Sequence, residues 1–153
     1  MTGAVRLSDG SPLYLKFAEE WLVGGAMCAP QDHALIASLI VEPSDFRDAS
    51  LGAIWSAICD APTTMVPDVA HLLLERGLLD EVGGEPRLTE LAFSTWAFMY
   101  AGLPSLEANA GVVKDWSNRR RLVRAAGETA RAVLEGKPIT RGVRVRGLKR
   151  LVA

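Results

Sequence analysis

The chain has 153 residues, of which 49% are apolar, so its composition fits one domain with a buried core and excludes wholesale disorder. It has no uncharged apolar run of about 18 residues, and Glu19 and Glu20 interrupt the first apolar stretch, so we expect a cytoplasmic protein without a membrane contact. Charge is uneven: residues 1–113 hold five basic and 15 acidic side chains, whereas residues 114–153 hold 12 basic and three acidic ones. This asymmetry predicts that the basic part meets an acidic partner or the chain's own acidic part.

Helical periodicity begins near the N-terminus. Apolar positions at Leu13, Phe17 and Trp21 predict a first helix through Val23, which the pair Gly24-Gly25 would end. A second helix is predicted from Pro30 to Val41. It carries four apolar residues at helical spacing on one face: Leu35, Ile36, Leu39 and Ile40.

Three further helices are predicted, and two glycine-containing turns separate the fourth from the fifth. Gly77 is placed to end the fourth helix in the left-handed conformation, and Gly83-Gly84 lets the chain reverse before Pro86 begins the fifth. The third helix spans roughly residues 50–60. The side chains expected to face the core in the third, fourth and fifth helices are Leu51, Ile54, Trp55, Ile58, Val69, Leu72, Leu73, Leu74, Leu88, Leu91, Thr95 and Met99.

A long helix is predicted in the C-terminal third. Ser105 is the predicted N-cap, and the helical pattern continues from Leu106 to Leu134, where Gly136 would end the helix. A helix of this length spans about 43 Å, so its far end needs a second helix to cover its apolar residues. The expected interface residues on it are Val112, Trp116, Val123 and Ala130. Residues 143–146 alternate as a short strand would, and no other strand signal stands out.

Side chains with catalytic or metal-binding chemistry are few and scattered. A phosphate-binding loop needs a lysine followed by a hydroxyl residue, and residues 135–138 fail because proline follows Lys137. His33 and His71 stand alone in their segments, and Cys28 and Cys59 form no CxxC pattern. No motif suggests a nucleophilic triad. We therefore predict that the chain is not an enzyme and binds no cofactor or metal.

The order of several short segments resembles the N-terminal domain of the bacterial replicative DNA helicase of the DnaB type. The segment LLDEVGG at 78–84 and the residues around it are the most specific part of this likeness. The similar segments are residues 38–43, 45–47, 53–58, 74–84 and 88–91, followed by Pro104-Ser105, Asn109, Val112-Val113 and residues 120–123.

The resemblance implies an all-α fold: a compact helical head followed by a long helix, similar to the helicase collar. In a hexameric helicase of this family, these domains pair through helical hairpins into a collar that binds primase and helps loading. The collar has no catalytic residues, and ATP hydrolysis belongs to a separate C-terminal domain.

The sequence departs from that family in several places. We expect no ATPase domain, and the stretch between Pro43 and Phe46 is shorter than is usual. The predicted domains are a leader with one helix at 1–28, a DnaB-like helical domain at 29–136 and a basic tail at 137–153. The tail stands where the family has the second helix of its hairpin.

Two functions follow as hypotheses. The first is a stand-alone, non-catalytic interaction module of DNA replication that binds itself, a replicative helicase or a primase. It would act as a helicase loader or modulator and would be encoded by a phage or mobile element. The alternatives are that its apolar stripe simply packs on the head, that the chain is a fragment of a full helicase, or that it is a small enzyme of unknown type.

The second hypothesis is a nucleic-acid-binding accessory protein that contacts DNA nonspecifically through its basic C-terminal arm. Basic side chains bind phosphates without sequence choice, and the tail has no aromatic residue for base stacking. The alternative is a solvated tail. The candidate DNA-binding residues are Arg119, Arg120, Arg121, Arg124, Arg141, Arg144, Arg146, Lys149 and Arg150.

Overall fold

The computed structural model of the protein describes residues 5–8, 10–99 and 105–138, without the side chains of 96–99. Across these residues the fold is all-α, as predicted, and no strand occurs; Arg6 and Pro12 form only an isolated antiparallel bridge. The predicted strand at 143–146 lies outside the described residues. The helices are α1 Leu13–Cys28, α2 Gln31–Ser38, α3 Ala49–Asp60, α4 Val66–Glu75, α5 Gly84–Met99 and α6 Leu106–Leu134, with a short 3-10 turn at Pro43–Asp45 between α2 and α3.

Helix α1 continues through the glycine pair that was predicted to end it. Gly24 and Gly25 are buried inside α1, where the helix packs against α5. A Cβ atom at Gly24 would lie 2.2 Å from the carbonyl oxygen of Leu91, so only glycine allows the two helices this close. The prediction of a helix end was wrong because close packing against α5 outweighs the modest cost of glycine inside a helix.

The buried faces of α1 and α2 also differ from those predicted. In α1 the core residues include Leu15, Leu22 and Val23, whereas Phe17 is exposed. In α2 the small residues Ala34 and Ala37 face the core, and three of the four predicted apolar positions are exposed: Leu35, Ile36 and Leu39. The helix ends early, at Ser38, and Val41 then enters the core as non-helical chain.

The centre of the core is Trp55 of α3. Its side chain is fully buried and packs on Phe46, and its Nε1–H donates to the carbonyl oxygen of Val41 at 3.1 Å. The other predicted core positions of α3 are buried too: Leu51, Ile54 and Ile58. Here the prediction was right because the apolar residues of α3 lie on a single face, so their spacing allows only one buried orientation.

The prediction for α4 was right for Val69 and Leu73, which are fully buried, and wrong for Leu74, which is 62% exposed. Leu74 lies about 100° around the helix from Leu73 and so points away from the core. The Met99 side chain, predicted to face the core from α5, lies outside the described residues.

Asp48 caps the N-terminus of α3. Its carboxylate accepts hydrogen bonds from the backbone N–H of Ser50 at 2.9 Å and from the Ser50 hydroxyl at 2.7 Å. Desolvation alone would raise the pKa of Asp48, but these bonds from Ser50, with a backbone bond from Leu51, lower it overall. The ionised carboxylate is therefore the form that stabilises the fold.

Substituting Asp48 by alanine is expected to reduce the free energy of unfolding by about 1 kcal/mol, the usual cost of losing an N-cap. Because the folded-state pKa lies below the unfolded value, the contribution is complete above the unfolded pKa and is lost as pH falls through the folded pKa. The difference between wild type and Asp48→Ala in urea denaturation should therefore shrink on going from pH 7 to acid. A difference that stays constant would contradict the assignment.

The turn between α4 and α5 uses glycine as predicted. Gly77, Gly83 and Gly84 have φ values of +68°, +101° and +76°. The N–H of Leu78 donates to the carbonyl oxygen of Leu73 at 2.9 Å and closes the end of α4. The turn therefore sets how α4 and α5 enter the core.

The chain divides into two compact units, residues 1–116 and residues 117–153. By sequence, the first unit carries six basic and 16 acidic side chains, and the second unit carries 11 basic and two acidic ones.

None of the helices that the structure describes is both long and apolar enough to cross a membrane. The domain boundaries at 28 and 136 stay a prediction.

Candidate protein-interaction surface

Helix α6 begins at a capped N-terminus. The Ser105 hydroxyl accepts a hydrogen bond from the N–H of Ala108 at 3.2 Å, which confirms the predicted N-cap. Hydrogen bonds from its own backbone N–H and from Ser105 lower the pKa of the Glu107 carboxyl, with a smaller effect from nearby His33. A negative charge in the first turn also suits the positive end of the helix dipole.

The first turns of α6 pack into the first unit. Ala110 and Val113 are fully buried there. The ammonium group of Lys114 lies 2.9 Å from the carboxylate of Asp45, which has no exposed surface and also accepts the N–H of Glu42 at 2.9 Å. An ion pair with one buried member holds α6 against the 3-10 turn.

Trp116 also contacts α1. Its Nε1–H donates to the Tyr14 hydroxyl at 2.8 Å, and the two rings meet edge to face with centroids 6.2 Å apart. One turn further along α1, Phe17 stacks on Trp21 at 5.6 Å. Four aromatic residues from α1 and α6 therefore pair at the surface of the first unit.

The second unit, considered by itself, contains an amphipathic helical segment. At 100° per residue, six apolar residues of 117–134 fall within an arc of about 120°. All six are exposed, and Val123 has 73% of its surface accessible. They are Leu122, Val123, Ala126, Ala130, Val133 and Leu134, and we call them the α6 stripe. The opposite arc carries charged residues: Arg121, Arg124, Glu128 and Arg131.

The four predicted interface residues fall into two groups. Val112 and Trp116 belong to the first unit and are partly buried against its core. Val123 and Ala130 belong to the α6 stripe and are exposed. Only two of the four predicted interface residues are therefore exposed, and the role of all four in binding stays a prediction.

The predicted nucleic-acid-binding residues are only partly within the described chain. Arg119, Arg121 and Arg124 are exposed on α6, and Arg120 is half-buried. The other five lie outside the described residues: Arg141, Arg144, Arg146, Lys149 and Arg150.

Some surface features were missed by reasoning from the sequence. Leu122 and Leu134 widen the stripe, and their helical spacing from Val123 and Ala130 was a usable signal. The contact between Tyr14 and Trp116 joins residues 102 positions apart. No local pattern announces such a pairing, so sequence spacing alone offered no way to find it.

The histidines lie beside glutamates. His33 Nδ1 is 3.6 Å from Glu107 Oε1, and His71 Nε2 is 3.3 Å from Glu75 Oε1. Within the described part of the chain, no three His, Cys, Asp or Glu side chains are grouped so that they would hold a metal ion.

Comparison with known proteins finds a likeness in structure. The fold is similar to the crystal structure of the N-terminal domain of DnaB helicase from Mycobacterium tuberculosis, with a TM-score of 0.69 and 26% sequence identity. The match covers 90% of this chain and 96% of that one. No protein-family model and no curated protein matches the sequence.

Proposed function

We propose that this chain, a DnaB N-terminal-like domain, is a non-enzymatic interaction module of DNA replication that uses the α6 stripe to bind a partner helix. Its fold suggests a helicase-associated protein. The partner would be a second copy, a replicative helicase or a primase, and the module would load or modulate the helicase. No cofactor takes part.

The observation that carries this proposal is the exposure of the α6 stripe. Isolated helices are marginal in water, and most helical stability in proteins comes from packing an apolar face. The six apolar side chains of the stripe lie on one arc, whereas Arg124 and Arg131 lie on the opposite, charged arc. A continuous apolar face bordered by charge is the pattern of a helix that packs against another helix.

The likeness to a helicase domain narrows the choice of partner. An apolar stripe alone fits any helix with a complementary face, so the stripe does not name its partner. The candidate partners are the proteins with which a DnaB-like domain would work, namely a helicase and a primase. Self-association through the α6 stripe would form a two-fold symmetric dimer, because each copy would contribute the same face.

Light scattering coupled to size-exclusion chromatography tests whether the chain binds a second copy, the helicase or the primase. The purified chain would be run alone, with the replicative helicase of its organism and with the primase. The double variant Val123→Ser/Val133→Ser is expected to weaken the complex at least about tenfold, because each valine contributes on the order of 1.5 kcal/mol when buried. Its melting temperature should hardly change, since both side chains are exposed.

The matched control is Arg124→Ser/Arg131→Ser on the opposite arc of the same helix, which should bind like wild type. Wild-type binding by the stripe variant would contradict the stripe as the interface. A wild-type chain that stays monomeric and binds neither protein would contradict the proposed function itself.

The second candidate function is nonspecific binding of nucleic acid by the basic C-terminal arm. It is favoured by the exposed Arg119, Arg121 and Arg124 and by the excess of basic residues in 117–153. Each phosphate contact to duplex DNA contributes about 0.9 to the slope of log affinity against log salt. Deleting residues 137–153 is expected to weaken DNA binding and flatten that slope. Unchanged binding by the shortened chain would contradict this role.

A further inference from the structure

An apolar groove lies in the first unit, between α5 and the start of α4. It encloses about 460 Å³ and is lined mainly by Val66, Pro67, Ala92 and Phe93. At its floor, the Cys28 thiol donates to the carbonyl oxygen of Ala92 at 3.0 Å. Its volume lies within the range of pockets that bind small molecules.

The apolar surface continues beyond the groove. Phe93 is 68% exposed, although it is a large aromatic residue on a well-packed helix. A second depression along α5 is also lined by Glu85, Thr89 and Phe93, so it adjoins the groove, and we call the two together the channel. Met65, next to Val66 in sequence, is also largely exposed. A channel with so few polar groups is suited to apolar side chains.

The edge of the channel is acidic. Glu85 and Glu90 line it, and residues 61–95 hold six acidic side chains against two basic ones. The two basic side chains are engaged in ion pairs: Arg76 with Asp60 at 2.6 Å, and Arg87 with Glu20 at 3.5 Å and Glu90 at 3.6 Å. Arg87 thus offsets part of the charge of Glu90, but with Glu85 the edge keeps a net negative charge, so the channel favours a ligand that combines apolar and positively charged side chains.

The C-terminal sequence of the chain has this chemistry. Residues 139–153 read ITRGVRVRGLKRLVA and contain five basic side chains and no acidic one. Apolar residues alternate with the charges, as at Val143, Arg144, Val145 and Arg146. We propose that residues 139–153 of a second copy bind in the channel, with valine or leucine side chains beside Phe93 and basic side chains facing Glu85 and Glu90.

A second copy carries the complementary surface. Each chain has both the acidic edge of the channel and the basic segment, so two identical chains match each other at these surfaces. The contact would join different surfaces of two identical chains. Such head-to-tail contacts build closed rings or open chains rather than two-fold dimers. This surface is separate from the α6 stripe and does not depend on it.

Sedimentation equilibrium tests the proposal by measuring self-association of the full chain and of variants in which the charges of the channel or of the tail are reversed. The channel variant is Glu85→Lys/Glu90→Lys, and the tail variant is Arg144→Glu/Arg146→Glu. Each alone is expected to self-associate at least tenfold more weakly than wild type. Mixing the two should restore association, because the lysines of one copy then meet the glutamates of the other. Phe93→Ala should also weaken association, without any change of charge.

The control for net charge is Glu75→Lys/Asp80→Lys, which exchanges two exposed acidic residues that do not line the channel and should associate like wild type. Circular dichroism melting checks that every variant is folded. A wild-type chain that stays monomeric, or charge variants that associate like wild type, would overturn the proposal. If the charge variants differ from wild type but their mixture stays dissociated, the segment does not bind a second copy, and the proposal is overturned too.

Discussion

Replacing Gly24 by alanine is expected to lower the free energy of unfolding by about 3 kcal/mol, at the upper end of what overpacking a core usually costs. The added methyl group would lie 2.2 Å from both the Leu91 carbonyl oxygen and the Thr95 hydroxyl. The Leu91 oxygen belongs to the backbone of α5, so it cannot rotate away as a side chain would. Relief requires α1 and α5 to separate, and that loosens the core around Leu22 and Leu91.

Gly111→Ala is the matched control for this substitution. Gly111 also lies inside a helix, but nothing lies within 4 Å of the position where its Cβ atom would be. The control should therefore gain up to about 1 kcal/mol from the better helix propensity of alanine. Chemical denaturation of both variants measures the contrast. Equal stability of the two would show that the close approach of α1 and α5 does not depend on glycine at position 24.

Replacing Lys114 by methionine is expected to destabilise the chain by about 3 kcal/mol, because it removes a positive charge that directly contacts the buried carboxylate of Asp45. The ammonium group lies 2.9 Å from a carboxylate that has no exposed surface, so the negative charge that remains in the variant is poorly hydrated. Lys114 itself is 30% exposed, which keeps the expected loss near the lower end for buried pairs.

The double variant Lys114→Met/Asp45→Asn distinguishes a buried-charge effect from lost packing. Asparagine can still accept the N–H of Glu42 through its side-chain oxygen, and it carries no charge. Most of the stability lost in the single variant should therefore return. A double variant that is no more stable than Lys114→Met would show that the methylenes of the lysine, rather than its charge, are what the core needs.

The helices were predictable where the signal was local. α3 has one apolar face, so the burial of Leu51, Ile54 and Trp55 followed from spacing alone. The ends at Ser105, Gly77 and Gly136 were also predictable, because a side-chain cap or a left-handed φ acts within one turn of the helix.

The candidate surfaces were predictable only in part. The helical period identified Val123 and Ala130 as members of one face of α6, and the tertiary structure then placed Val112 and Trp116 partly in the core of the first unit. The groove beside Phe93 could not be predicted, because it arises where α4 and α5 meet.

The sequence by itself determined the helical class, the limits of most helices and the uneven charge. It also suggested the likeness to a DnaB N-terminal domain, which the structural comparison then showed. The tertiary structure alone decided which face of α1 and α2 is buried, because both helices carry apolar residues on more than one side. It also decided that Gly24 and Gly25 lie inside α1 and let it pack closely against α5, instead of ending the helix. A glycine inside a helix costs about 1 kcal/mol in propensity, and the packing of α1 against α5 outweighs it.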